Sequence, residues 1–245
     1  MSTETEMVGL GFHKAGTTNT KHRLILSVDG HEKQGKSHFA LTAPQPIALF
    51  DVDTGLEGVV DKFKHTSGIF QKSYRYHGNM KQPEYEKIWD AFLEAYLGAL
   101  GVASVRTIIW DTATELWELL RMARFGKLTQ VMPYHYGPVN AEFRELVRKV
   151  YDTDKNMILV HKRKKKYVDD MWKGGYERAG FTDMGFLVQL NSTIFRDKDS
   201  REFVLHIQDC RQNAAMMDTE LEGPMCTFPF LAVSAFTDTN LDDWE

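Results

Sequence analysis

The sequence predicts an α/β fold with a mainly parallel sheet flanked by helices and a late antiparallel hairpin. Apolar segments of strand length alternate with segments of helical periodicity, and several of the apolar segments end in a polar or acidic residue. A glycine-rich G-x-x-x-x-G-K-S motif follows the first apolar segment. Because alternating strands and helices build parallel sheets whose ligands bind at the carboxyl edge, we expect the functional site there.

The predicted elements follow in order along the chain. We expect strands at 24–28, 46–51, 71–78, 106–110 and 156–160, and a late hairpin from 186–190 and 203–207. Apolar residues recur at helical spacing over 83–100, 114–124 and 140–151. We divide the chain into a polar arm (1–20), one α/β domain (21–236) and an acidic tail (237–245).

Composition limits the classes of function. With 245 residues, 42% hydrophobic and 26% charged, the chain matches one globular domain of ordinary size. No apolar run approaches the roughly 20 residues of a membrane span, so we expect no membrane partner and a cytoplasmic protein. Two cysteines are too few for a disulfide framework or a zinc site. A net charge of -4 means that any nucleic-acid contact needs a local basic patch.

The glycine-rich motif predicts a phosphate-binding loop. Its backbone N–H groups and the positive end of the following helix would cradle phosphate oxygens. We expect Lys36 to reach the outer phosphates of ATP and the Ser37 hydroxyl to bind Mg²⁺. The predicted nucleotide-binding residues are Gly30, His31, Glu32, Lys33, Gln34, Gly35, Lys36, Ser37 and His38.

Two carboxylates at strand ends are candidates for the chemistry. Asp111 follows a buried strand, in the position of a residue that supports Mg²⁺ beside Ser37. The next residue is not a glutamate, so a base must come from elsewhere, and Asp53 is our candidate for orienting the attacking water. Asp51 and Glu57 compete for this role, and a turn-forming role for Asp53 also stays open.

A histidine and a basic run follow the strand at 156–160. His161 ends that strand, where it would lie near the terminal phosphate and sense its presence, although a simple polar cap is an alternative. We expect the basic run to form a loop that binds nucleic-acid phosphates, or else only a solvated loop. The predicted nucleic-acid contacts are Lys162, Arg163, Lys164, Lys165, Lys166 and Tyr167, with Trp172 and Tyr176 as further stacking residues.

Together, the motifs at 30–37, 50–53, 108–112 and 159–162 resemble the core of the RecA-like P-loop ATPases. Among these ATPases, the motifs are most similar in type to those of the short phage Sak-type proteins, which act in single-strand annealing and recombination. This resemblance implies an ATPase with ATP and Mg²⁺ that binds single-stranded DNA and forms a homo-oligomeric ring or filament, in the host cytoplasm if phage-encoded. It implies that Lys36, Asp53, Asp111 and His161 act in catalysis, although RecA has Glu and Gln where this chain has Asp53 and His161.

Some expectations stay open at this stage. The resemblance implies a basic residue from a neighbouring subunit, for which Arg211 is our candidate, with Lys162 or Arg196 as alternatives. The acidic tail is a candidate for docking a partner protein or competing with DNA, or is a disordered terminus. The alternative functions are a nucleotide or small-molecule kinase, a helicase loader or other motor, and a binding module without turnover.

Overall fold

The computed structural model describes residues 3–14, 22–63, 68–127 and 131–245. It contains an eight-stranded sheet in the order β10-β9-β8-β1-β5-β4-β2-β3 and a separate two-stranded hairpin, β6-β7. The strands of the large sheet are β1 (Ile25–Asp29), β2 (Ile47–Asp51), β3 (Ile69–Ser73), β4 (Thr107–Asp111), β5 (Asn156–His161), β8 (Leu190–Arg196), β9 (Phe203–Cys210) and β10 (Thr219–Glu222). The hairpin consists of β6 (Arg163–Val168) and β7 (Met171–Arg178).

The first six strands of the sheet in space, from β3 to β8, are parallel, whereas β9 and β10 are added antiparallel. Strand β5 lies between β1 and β4, pairing with both. The carboxyl ends of these three strands therefore meet at one edge of the sheet. This confirms the predicted mainly parallel α/β fold with a late antiparallel hairpin.

Helices cover both faces of the sheet and bury a core on each. The helices are α1 (Thr3–Gly9), α2 (Lys36–Ala40), α3 (Gln82–Gly101), α4 (Ala113–Phe125), α5 (Tyr136–Lys149), α6 (Met184–Leu187) and α7 (Phe228–Ala235). One core lies under α3, α4 and α5 and is rich in aromatic rings, including the fully buried Trp89 and Trp110. The other lies under α2 and α7. Among the described residues, no helix has both the length and the apolar character needed to span a membrane.

The structure corrects several predicted elements. The basic run forms the first strand of an exposed hairpin, not a loop, because aromatic residues in both halves favour pairing of the two segments. Residues 186–187 belong to α6, and the strand that pairs with β9 begins later, at Leu190. Helix α5 begins at Tyr136, four residues earlier than its apolar pattern indicates.

The ends of the chain also differ from expectation. Residues 3–9 of the predicted arm form an exposed helix, while 15–20 lie outside the described residues. The tail packs on the domain: Trp244 is 2% exposed, stacks on Phe236 and donates a hydrogen bond to Thr239. Arg106, directly before β4, donates to backbone carbonyls of Asp243 and Glu245. The tail is thus an ordered part of the domain at the amino edge of the sheet, opposite the glycine-rich loop.

Candidate nucleotide site and basic hairpin

The glycine-rich loop connects β1 to α2, as its sequence predicts, and two of its glycines are needed for close packing. A Cβ atom at Gly30 would collide with the carbonyl oxygen of Ile194 in β8. Gly35 has a φ of +90°, and a Cβ there would lie 2.8 Å from the ring of Phe203. Both positions therefore exclude larger residues.

Lys36 lies inside the curve of this loop. Its ammonium donates to the carbonyl oxygens of Gly30 and His31 at 2.9 and 2.7 Å. Burial lowers the pKa of the ammonium, and three nearby carboxylates oppose that shift. These carboxylates belong to Asp111, Asp29 and Asp53.

The predicted pair of magnesium ligands is in direct contact. The hydroxyl of Ser37 donates to Oδ2 of Asp111 at 2.6 Å, so the hydroxyl and the carboxylate face the same point. Burial raises the pKa of Asp111 to about 6, although the hydrogen bond from Ser37 lowers it. A divalent cation would favour the ionised carboxylate and prefers such oxygen ligands. The residues therefore fit a magnesium site.

Asp53 lies just beyond β2 and is held close to the end of β4. Its backbone N–H donates to the carbonyl oxygen of Asp111 at 3.3 Å, and the N–H of Val52 donates to the same oxygen at 2.7 Å. Its carboxylate contacts the ammonium of Lys162 at 2.9 Å. The structure therefore brings Asp53 together with Lys36, Ser37 and Asp111, as the sequence predicts, while its role in turnover stays a prediction.

The two competing acidic residues have different surroundings. Asp51 is fully buried and accepts hydrogen bonds from Gln71, Ser73 and Arg75, at 3.0, 2.8 and 2.8 Å. These contacts join the ends of β2 and β3, so the carboxylate of Asp51 has a structural role. Glu57 is exposed in a turn beyond β2. Asp53, which is held beside Asp111, stays the candidate for orienting a water molecule.

His161 occupies the end of β5, but its ring is turned away from the magnesium ligands. Val160 is the residue paired with Asp111, and since successive side chains in a strand point to opposite faces, His161 projects to the other face. Its Nδ1 lies 3.2 Å from the carbonyl oxygen of Ala179, and its buried Nε2 has no hydrogen-bond partner among the described residues. Burial lowers the pKa of this imidazole to about 3. A sensing role for His161 stays a prediction.

Lys165 of the basic run and three aromatic residues form one surface of the hairpin. Lys165 pairs with Tyr176 and Tyr167 with Trp172, with a shift of register between the two pairs. The rings of Trp172 and Tyr176 lie 5.9 Å apart, so the four side chains share a face. The ammonium of Lys165 lies 4.6 Å from the centre of the Trp172 ring. Tyr167, Trp172 and Tyr176 are 60%, 45% and 37% exposed. We call these four residues the aromatic-basic face.

The other basic residues of the run have different contacts. Lys164 and Lys166 are exposed on the opposite face, where Lys164 pairs with Glu177 at 3.3 Å. The guanidinium of Arg163 lies 3.6 Å from the carboxylate of Asp29, at the end of β1. Lys162 is held by carboxylates of the nucleotide site. The first two residues of the run, Lys162 and Arg163, thus contact carboxylates at the carboxyl edge of the sheet, whereas the later ones are exposed.

The hairpin is attached directly to the nucleotide-binding loop. The ring of His31 packs edge-on against Tyr176, with 4.4 Å between ring centres. At the base of β7, Arg178 donates to the hydroxyl of Ser27 at 2.7 Å and to Asn191 at 2.6 Å. The base of the hairpin is therefore anchored to β1 and β8, while its tip projects into solvent.

The remaining predicted residues lie in two places. His38 faces Lys62, whose ammonium is 3.3 Å from its ring nitrogen. Arg196 lies next to the phosphate-binding loop of its own chain, where its backbone N–H donates to the side chain of Gln34. Arg211 follows the end of β9, at the amino edge of the sheet, and donates to the carbonyl of Phe186. It is not part of the nucleotide site of its own chain, and a role in a neighbouring subunit stays a prediction.

Sequence reasoning missed Arg178 and the contact of Glu115 with Lys162. Glu115, in the first turn of α4, accepts hydrogen bonds from Tyr76 and Lys162 at 2.6 and 2.7 Å. Its position so soon after the β4 strand was the available signal, since the first helical turn after a site strand remains near the site. Nothing in the sequence indicated that Arg178 lies at the sheet, because the hairpin that brings it back there was not predicted.

Comparison with known proteins agrees with this geometry. A family described as "AAA domain" matches residues 23–184, which include the loop, Asp53, Asp111, His161 and the whole hairpin. No curated protein matches the chain significantly. Since the family match covers more than half of the sequence, the chain belongs to this AAA-domain family of P-loop ATPases.

Proposed function

We propose that this ATPase depends on Mg²⁺, binds single-stranded DNA through the aromatic-basic face, and acts in phage-type recombination or single-strand annealing. The observation that carries the DNA-binding part is the exposed hairpin with three aromatic rings and a lysine on one face, in contact with the phosphate-binding loop. ATP binding and the P-loop ATPase class follow from the family.

The nucleotide part of the proposal assigns a role to each side chain. Lys36 and the loop N–H groups bind the phosphates, and Asp53 orients the attacking water for transfer of the terminal phosphoryl group. Ser37 and Asp111 would hold Mg²⁺, which neutralises phosphate charge when bound. Each of these groups lies at the carboxyl ends of β1, β2 and β4.

The DNA part rests on the chemistry of the hairpin. Bases of a single strand stack on exposed aromatic rings whatever their sequence, while lysines contact the phosphates. In a paired duplex the base faces are covered, so this surface favours single strands. We further infer a homo-oligomer in which Arg211, which lies at the edge of the sheet opposite its own nucleotide site, completes the site of a neighbouring subunit.

The first experiment measures ATP hydrolysis by the purified protein with no DNA, with a single-stranded oligonucleotide and with the same sequence as a duplex. We expect stimulation by the single strand only, and loss of all turnover in Lys36→Ala. Absence of stimulation would contradict the DNA-binding proposal. Turnover that requires a nucleoside or nucleotide acceptor would indicate a kinase instead.

A second experiment locates the DNA contact. We expect Lys165→Ala to weaken binding of a fluorescent oligonucleotide and to reduce the salt slope by about 0.7, since each phosphate contact to a single strand contributes about 0.7. Lys87→Ala, at an exposed position on α3, is the matched control and should leave affinity and slope unchanged. An unchanged slope in Lys165→Ala would place the DNA site elsewhere.

A further inference from the structure

We propose that Lys162 distinguishes ATP from ADP within its own chain: its ammonium leaves Asp53 and Glu115 and contacts the terminal phosphate when ATP binds. This exchange frees the Asp53 carboxylate to orient the attacking water. The inference rests on the proposed ATPase role of Asp53 and adds a residue that the sequence places among the nucleic-acid contacts.

The first support is the geometry of the ammonium group. Nζ of Lys162 bridges two carboxylates, at 2.9 Å from Asp53 and 2.7 Å from Glu115. The carboxylate proposed to orient water is therefore already occupied by a cation. Asp53 lies just beyond β2 and Glu115 lies in the first turn of α4, so Lys162 joins two separate segments of the site.

The second support is electrostatic. Lys162 lies at the phosphate site, because its partner Asp53 is held beside Asp111, whose carboxylate accepts a hydrogen bond from Ser37. Burial alone would lower the pKa of Lys162, but hydrogen bonds to Glu115 and Asp53 outweigh it and raise that pKa. Lys162 is thus a charged group close to where the phosphates bind. A terminal phosphate beside Asp53 would bring two anions together, and Lys162 is the cation already between the elements concerned.

The third support is that the backbone at this position is held by contacts that do not involve the side chain. The N–H of Lys162 donates to the Thr114 hydroxyl at 3.0 Å, and its carbonyl accepts from Ala179 at 2.8 Å. The side chain is 41% exposed and has a flexible four-carbon stem. A change of partner therefore requires only a rotation of the side chain. For the same reason, substitutions at Lys162 should not disturb the fold.

The test compares the affinities of Lys162→Met and wild type for ATPγS and ADP, measured by calorimetry with Mg²⁺. We expect the ATPγS affinity to fall at least tenfold while the ADP affinity changes less than twofold. Lys162→Arg should restore part of the preference, because it keeps the charge. Lys87→Met, on the surface of α3, is the control for loss of a lysine charge elsewhere.

A second variant gives an effect of opposite sign. Glu115→Gln removes one of the two charges that hold Lys162 and keeps a hydrogen-bond acceptor for Tyr76, so the preference for ATPγS over ADP should increase. An equal loss of both affinities in Lys162→Met, or an unchanged ratio in both variants, would overturn the inference. If wild type binds neither nucleotide or does not hydrolyse ATP, the proposed function itself fails.

Discussion

Replacement of His161 by glutamine should make the protein less sensitive to acid. The wild-type imidazole is completely buried and lies near Arg178, and its one hydrogen-bond partner among the described residues is the carbonyl of Ala179. A positive charge on this ring would be desolvated and repelled by the guanidinium. Glutamine is neutral at every pH and keeps an N–H donor for that carbonyl, and it is also the residue that the RecA resemblance places at this position.

The magnitude follows from the shifted pKa. Burial lowers the pKa of His161 to about 3, whereas an unfolded histidine titrates near 6.5, so the unfolded state binds a proton first as the pH falls. The free energy of unfolding is therefore unaffected above pH 7 and declines as the pH falls below about 6.5. Between pH 8 and pH 5 the loss attributable to this group is about 2 kcal/mol. For a chain of this size that corresponds to a difference in Tm of about 4–8 °C.

The assay is urea unfolding of nucleotide-free wild type and His161→Gln at a series of pH values from 8 to 5. We expect the difference between the two free energies of unfolding to move in favour of the variant by about 2 kcal/mol over this range. Taking the difference removes the contribution of the other titrating groups, including Asp111. If both proteins lose the same stability, His161 is accessible to protons in the folded state and the reasoning is wrong.

Four further outcomes test other parts of the structure. Asp53→Asn should keep ATP affinity but reduce steady-state phosphate release by about 100-fold or more, and normal release would move the base role to another residue. Gly35→Ala should weaken ATP binding, measured by titration, because of its φ and the Phe203 ring; full affinity would contradict this. Trp172→Ala should weaken oligonucleotide binding by about 1–3 kcal/mol in an anisotropy assay, whereas equal binding would exclude stacking there. Trp244→Ala should lower the free energy of unfolding by about 3–5 kcal/mol, and an unchanged urea midpoint would show that the tail does not pack.

The elements that were predicted well are those whose signal is local. The apolar segments that became β1, β2, β4 and β5 are buried on both faces, and the polar residue at each end marks the carboxyl edge. This is why Lys36, Ser37, Asp111 and Asp53 were placed together from the sequence. The P-loop ATPase class is confirmed by the family, while the closer resemblance to Sak-type proteins stays a prediction.

The features that were missed depend on contacts between distant residues. The partners of Lys162 come from positions 53 and 115, so a basic run read by itself could not show that its first lysine belongs to the nucleotide site. The hairpin has strands whose residues are exposed on both faces, and such strands lack the alternation that reveals a buried face. The tail contains two large apolar residues, Leu241 and Trp244, and two residues give no periodicity.

The hairpin is fixed at one end only, and this has a mechanical consequence. Strand β6 runs from Arg163, opposite Arg178, to Val168, opposite Met171, so the hairpin extends about 17 Å. A rotation of about 10° at the anchored base, where His31 meets Tyr176, would displace the tip by about 3 Å at that length. A small movement of the phosphate-binding loop would thus produce a larger displacement of the hairpin tip without altering the sheet. A fluorophore attached at the tip would detect that displacement.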